Sequence, residues 1–184
     1  AGIRGVFCGG TSMKPQEVRF IVEELKPRID REFRTRPGRE STFLMGSSMG
    51  ALISVYGMAE HPDVFGAAAG LSMHWPTGIS EHNIIERQET WRPAIVAAYQ
   101  SYFEGRRLDP ASHLMWVDHG AGFLDHLYVP YQEAMLPVLH GLGYVDGVTL
   151  EARVYPGANH NETAWRERLR DPLTFLLRSR PSQN

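Results

Sequence analysis

Thr42-Phe43-Leu44-Met45-Gly46-Ser47-Ser48-Met49-Gly50-Ala51-Leu52-Ile53 is the stretch on which the reading of this chain turns. Its first four residues form an apolar, strand-like run, and from Ala51 to Tyr56 the pattern is helix-like. Between them stands Gly46-Ser47-Ser48-Met49-Gly50. A serine flanked at two residues' distance by glycines, on a tight turn from strand to helix, is the nucleophile-elbow arrangement. The turn lifts the hydroxyl of Ser48 off the sheet edge, and a side chain at either glycine would meet the neighbouring strand or helix.

Working outward, strands and helices alternate. Upstream, 15–33 reads as an amphipathic helix through Val18, Ile21, Val22, Leu25 and Ile29, with Pro27 a blemish expected to kink it. A short strand is expected at 3–8. The strand 42–47 enters the elbow, the helix 48–60 leaves it, and Pro62 stops that helix. The Ala-rich run 65–72 is apolar throughout, as suits a strand covered on both faces. Residues 73–92 read as irregular, with Pro76, Gly78 and then Pro93. A helix 94–103, a strand 113–118, a helix 127–142 and a strand 148–155 follow. After a loop at 157–161 come a short helix, 162–169, and a last one started by Asp171 as N-cap and Pro172 at the first helical position. The expectation is one α/β domain over 1–184, with a mainly parallel sheet and helices on both faces.

Composition excludes several classes. A length of 184 residues, ordinary apolar content and a net charge of −2 describe a globular chain with no basic run for nucleic acid. No apolar stretch approaches the roughly 20 residues of a membrane span. The one cysteine, Cys8, cannot form an internal disulfide. No leader-like segment is visible and the chain begins at Ala1, which we read as a processed or partial polypeptide, with the cytoplasm the favoured compartment.

A serine nucleophile needs a histidine base and an acid that orients it, and in this strand–helix architecture they follow in the order Ser, acid, His on loops after successive strands. The strand 113–118 runs into Asp118-His119-Gly120-Ala121-Gly122-Phe123-Leu124-Asp125, and the strand 148–155 into Pro156-Gly157-Ala158-Asn159-His160. His160 is the candidate base. Asp118 and Asp125 are both candidate acids, with a loop anchor as the plain alternative for the first and a helix N-cap for the second. The backbone N–H of Met49 is the expected oxyanion donor. His119-Gly120-Ala121-Gly122 looks like an oxyanion motif but follows the elbow instead of preceding it. His74 and Trp75 are candidate substrate-pocket residues, although Trp75 equally suits a cap on the core. Trp165 and Leu169 share helical spacing and read as packing. His113, His119 and His126 recur without the grouping a metal site needs, so neither metal nor cofactor is expected.

Several segments resemble the esterase family that includes esterase D, feruloyl esterases and enterochelin-esterase-like enzymes. They are Phe20-Ile21-Val22-Glu23-Glu24-Leu25-Lys26-Pro27-Arg28-Ile29-Asp30, Met45-Gly46-Ser47-Ser48-Met49-Gly50-Ala51-Leu52, His61-Pro62-Asp63-Val64-Phe65-Gly66, Leu71-Ser72-Met73-His74-Trp75 and Gly157-Ala158-Asn159-His160-Asn161-Glu162-Thr163-Ala164-Trp165. The resemblance runs from about Lys14 to the C-terminus. It implies an α/β-hydrolase fold and cofactor-free hydrolysis of acyl or aryl (feruloyl-type) esters through an acyl-enzyme on Ser48. Relatives carry a Gly-Thr segment before the acid and an aromatic after it. Residues 120–128 are similar, with Ala121 in place of Thr, and this favours Asp125 as the acid.

The family also implies about four strands before the elbow, where only some 45 residues stand here. The missing half of the sheet would supply the second oxyanion donor and part of the pocket. The elbow strand is then expected to present an open apolar edge, which favours oligomerisation or pairing with a missing N-terminal segment. Two other readings follow from the same residues: an acyltransferase on the same fold, and a truncated, non-catalytic binding domain.

Overall fold

The computed structural model describes residues 15–76 and 81–178, so the strand expected at 3–8 lies outside the described residues. Four strands, β1 (Phe43–Ser47), β2 (Ala67–Leu71), β3 (Leu114–Gly120) and β4 (Leu150–Tyr155), form one sheet in the order β1-β2-β3-β4. Every pairing is parallel, with Gly46 opposite Gly70, Gly70 opposite Val117, and Val117 opposite Ala152. All C-terminal strand ends therefore lie at one edge of the sheet.

Alternation along the strands divides the core into two layers. Leu44, Ala68, Met115, Val117 and Leu150 face one side with buried residues of α3 (Met49–Glu60), α4 (Glu81–Glu104) and α5 (Val129–Gly141). Phe43, Met45, Ala67, Ala69, Leu71, Leu114 and Trp116 face the other, against Phe175 and Leu176 of α7 (Arg170–Leu177). The small residues of β2 allow close approach: a Cβ on Gly70 would stand 3.1 Å from that of Ala51 in α3. The layers are unequal: α3, α4 and α5, joined by Val18 from the N-terminal helix, stand against α7 with the short α6 (Glu162–Arg168).

Upstream, α1 (Pro15–Phe20) and α2 (Lys26–Glu32) are joined by a π-helical turn, Ile21–Leu25. The Lys26 N–H reaches back five residues to the Ile21 carbonyl. This is the structural answer to Pro27, which has no N–H to give and whose ring would crowd a normal α-turn. The helix continues through the proline instead of breaking. Val18 anchors it, packing on α3 where Gly57 leaves room.

Three expectations need correction. The segment 73–92 is not irregular throughout: α4 starts at Glu81 and passes through Pro93, well before the expected 94. Beyond the buried Ile84, residues 85–90 are largely exposed and mostly polar, so the pattern of apolar positions was too sparse to read. Ser48 is not helical, because α3 begins at Met49. Asp171 and Pro172 lie within the first turn of α7 rather than ahead of it, and Asp171 instead accepts from Tyr155 Oη at 2.7 Å and Arg153 at 3.1 Å.

Candidate active site

Ser48 follows β1 at φ 55° and ψ −119°, a conformation L-residues rarely adopt. Gly46 and Gly50 make it possible. A Cβ on Gly46 would collide with the backbone of Gly50, so strand and helix touch where the glycines face each other. Met49 is the first residue of α3. Its N–H, one of the first of α3, has no acceptor within the helix.

Three loops converge on this hydroxyl. His160 Nε2 lies 2.9 Å from Ser48 Oγ, 112 residues away in sequence. His160 Nδ1 lies 2.6 Å from Asp125 Oδ1. The chain is folded tightly where the acid and base loops meet. Gly122 N–H donates to the Ala158 carbonyl at 3.0 Å. A Cβ on Gly120 would land on that same carbonyl and 2.8 Å from Asp125 Oδ2. Asp125 sits in the 3₁₀ turn Phe123–Tyr128, completely buried. Its Oδ2 accepts from Ser72 Oγ and from the Gly120 N–H, both at 2.6 Å. Burial alone would push this carboxyl up; the hydrogen bonds from His160, Ser72 and Gly120 outweigh it and hold it below the usual carboxylate range.

Asp118, the other candidate acid, does not reach the histidine. It is still within β3, and alternation turns it to the side of Trp116. There it meets Trp116 Nε1 at 2.8 Å, the Ser72 N–H at 3.0 Å, and Arg168 Nε and Nη2 at 3.1 and 2.9 Å. Burial pushes the Asp118 carboxyl above the usual carboxylate range, and Arg168 offsets only part of that. Four donors converge on its oxygens, so the ionised form is the one that fits.

His74 packs beside the site. Its Nδ1 lies 2.7 Å from Tyr128 Oη, and the Tyr128 ring meets His160 edge-on at 5.7 Å. Burial, with a contribution from His160, pushes the His74 imidazole down to about 4. Trp75 goes elsewhere: it is fully buried and meets Tyr99 edge-on at 5.1 Å, a core residue rather than one at the mouth. Trp165, read from its spacing as packing, does more. Its ring lies edge-on to His160 at 5.1 Å and its Nε1 donates to Ser72 Oγ at 2.8 Å. Asn161 caps α6, accepting from the Ala164 N–H at 2.9 Å and so fixing the chain directly after His160. Sequence reasoning gave no role to Ser72 or Arg168: Ser72 stood inside the Leu71-Ser72-Met73-His74-Trp75 segment without being singled out, and Arg168 lies outside every quoted segment. His119-Gly120-Ala121-Gly122 supplies Gly120 to Asp125, which accounts for the conformation of that loop. Among the described residues no cluster of three His, Cys, Asp or Glu could hold a metal ion, and no helix is long and apolar enough to cross a membrane.

Comparison with known proteins gives this geometry a context. A ferulic acid esterase superposes with a TM-score of 0.62 at 22% identity, covering 85% of this chain and 58% of its own. Enterochelin esterase from Shigella flexneri gives 0.67 at 16%, covering 89% and 37%. An S-formylglutathione hydrolase from Staphylococcus aureus gives 0.57 at 15%, covering 85% and 59%. The chain thus spans between about a third and three-fifths of these relatives, and at such identities the likeness establishes the α/β-hydrolase type of fold. A search of curated protein sequences finds no match. The family model described as Putative esterase matches residues 8–176, nearly the whole chain, and the chain belongs to that family.

Proposed function

We propose that this chain is a serine carboxylester hydrolase acting on acyl or aryl esters, with Ser48, His160 and Asp125 as its catalytic residues. The observation that carries this is the continuous chain of contacts from Ser48 Oγ to His160 Nε2 (2.9 Å) and from His160 Nδ1 to Asp125 Oδ1 (2.6 Å), built on a serine at φ 55°. Nδ1–H donates to Asp125, which leaves Nε2 free to accept the hydroxyl proton. Ser48 Oγ attacks the ester carbonyl carbon while its proton passes to His160 Nε2. The Met49 N–H stabilises the oxyanion. Collapse of the tetrahedral intermediate breaks the ester C–O bond, and His160 returns the proton to the leaving alcohol. Water, deprotonated by the same nitrogen, then attacks the acyl-enzyme and releases the acid, regenerating the Ser48 hydroxyl.

We also propose that the outer edge of β1 takes another strand, from a second copy or a further segment of polypeptide. Among the described residues β1 pairs only with β2, and its sequence is apolar on both faces. An edge of that kind lacks the charges that normally discourage pairing. Light scattering and amide hydrogen exchange on the purified chain test this, and a well-behaved monomer whose β1 edge amides exchange as unpaired would refute it.

Intact mass spectrometry after exposure to a fluorophosphonate tests the catalytic reading. One adduct on Ser48, lost in Ser48→Ala together with aryl-acetate hydrolysis, is the expected result. Full hydrolysis by Ser48→Ala would refute it.

A further inference from the structure

Asp125 is held by a second buried unit, which shares no atom with the ester chemistry. Its centre is Ser72, the residue after β2, fully buried and at φ 48°. The hydroxyl of Ser72 has three neighbours: Asp125 Oδ2 at 2.6 Å, Trp165 Nε1 at 2.8 Å and Arg168 Nη2 at 2.9 Å. Indole and guanidinium can only donate, so they take both lone pairs of the oxygen. The single hydroxyl proton is left for Asp125. Its direction follows from the inventory of donors and acceptors.

The rest of the unit fixes Ser72 itself. Asp118 accepts the Ser72 N–H at 3.0 Å and grips Arg168 through Nε and Nη2. Trp116 Nε1 holds the other Asp118 oxygen at 2.8 Å. The Arg168 guanidinium also lies over the Tyr155 ring at 5.0 Å. Arg168 Nη2 stands 3.9 Å from Asp125 Oδ2, so the Ser72 hydroxyl sits between a buried cation and the acid of the site. A direct contact would let Arg168 compete with His160 for Asp125. The interposed hydroxyl passes on a polarised hydrogen bond and keeps the cation off.

We propose that Ser72, held by the Asp118–Arg168 pair, is a positioning residue for the esterase reaction: it orients Asp125 toward His160 and shields that carboxylate from Arg168. The proposal rests on the reading of Ser48, His160 and Asp125 given above. Its cost is visible in the backbone, where a serine occupies a conformation that glycine would take without strain.

That cost supplies the test. Ser72→Ala and Ser72→Gly both remove the hydroxyl, but glycine relieves φ 48° and should melt at a higher temperature than alanine. Three quantities are compared with the unaltered chain: Tm, the rate of phosphonylation of Ser48 by the fluorophosphonate, and the low-field proton resonance of the 2.6 Å His160–Asp125 hydrogen bond. Both variants are expected to react roughly 10- to 30-fold more slowly, the effect of losing a hydrogen bond to a charged group. They should show a displaced or lost low-field resonance, with KM for an aryl acetate within about twofold wherever turnover is measurable. A merely structural role would make the rate follow Tm, so that Ser72→Gly recovers both. Ser72→Gly reacting at the unaltered rate with its resonance unmoved overturns the proposal. Failure of the serine reading looks different: the unaltered chain would then take up no phosphonate, and the resonance alone would decide whether Ser72 positions Asp125.

Discussion

Where β1, β2 and β3 end, Ser48, Ser72 and Phe123 follow at φ 55°, 48° and 45°; no other described residue apart from glycine has a positive φ. Where the strands begin, positive φ falls only on glycine, as at Gly147 before β4, and the polar groups are conventionally matched. His113, just before β3, is buried with Nε2 at 2.9 Å from the Pro62 carbonyl and Nδ1 at 3.2 Å from the Asp109 N–H. Thr42, just before β1, bonds the Gly38 carbonyl at 3.0 Å. Both ends contain buried histidine and hydroxyl groups. One end relaxes them and the other holds them under strain around a solvent-facing hydroxyl. Strain gathered at one sheet edge, with the other edge relaxed, supports placing the proposed chemistry at the first.

The comparison can be broken in four ways, in falling order of effect. Asp125→Asn should reduce kcat by about 10⁴-fold with little change in Tm, because the amide no longer stabilises the imidazolium or holds its tautomer. Steady-state kinetics with an aryl acetate checks this, and a loss below tenfold would remove Asp125 from the site.

The second concerns pH. The folded-state pKa of His74 lies at about 4, below the 6.5 of an unhindered imidazole. A depressed histidine pKa means that the unfolded chain takes up the proton first. Stability from this group is intact above about 6.5 and is lost as pH falls toward 4, by up to about 3 kcal/mol. Urea melts at the two limits should show a smaller loss in His74→Gln. Asp125 responds to acid in the same direction but at lower pH: its depressed pKa keeps it ionised through this window, and its contribution is lost as pH falls from the usual carboxylate range toward its lowered folded-state pKa.

The third addresses the relaxed end. His113→Ala leaves the Pro62 carbonyl and the Asp109 N–H without their partner, and should cost about 2 kcal/mol by denaturant melts. Turnover should stay within about twofold, in contrast to any change at Asp125. The smallest effect is at the elbow itself. Ser48→Gly should raise stability by about 1 kcal/mol while abolishing labelling, since glycine adopts φ 55° without penalty. A destabilised Ser48→Gly would mean that the elbow carries no strain.

Much of this was legible in the sequence, and the reasons for the exceptions are physical. Ser48 and His160 stood out because strand ends and loops mark them, and the contacts join them as their order along the chain suggested. Asp118 and Asp125 could not be separated on residue type. The decision depends on where β3 ends, since a residue still within the strand is turned by the pleat toward Arg168. The first half of α4 was hidden by Pro93 and by the largely exposed, mostly polar stretch 85–90 that follows the buried Ile84. Pro27 signalled a kink, and the structure absorbs it in a wider turn. Ser72 stood inside a family-like segment with nothing to mark its role: one serine after an Ala-rich strand becomes significant only when Trp165 and Arg168, nearly a hundred residues later, fold onto it.

The plain strand order β1-β2-β3-β4 has a consequence for the life history of the molecule. Each strand is laid beside the one before it, so a growing chain could add them one at a time, yet Ser48 must wait 112 residues for His160. On the proposed catalytic reading the serine is made early and armed last. Reactivity at Ser48 would then be a clock for maturation: a nascent or trapped chain that stops short of β4 would carry the elbow but leave the probe untouched, and the first labelled molecule would be one whose final strand has docked.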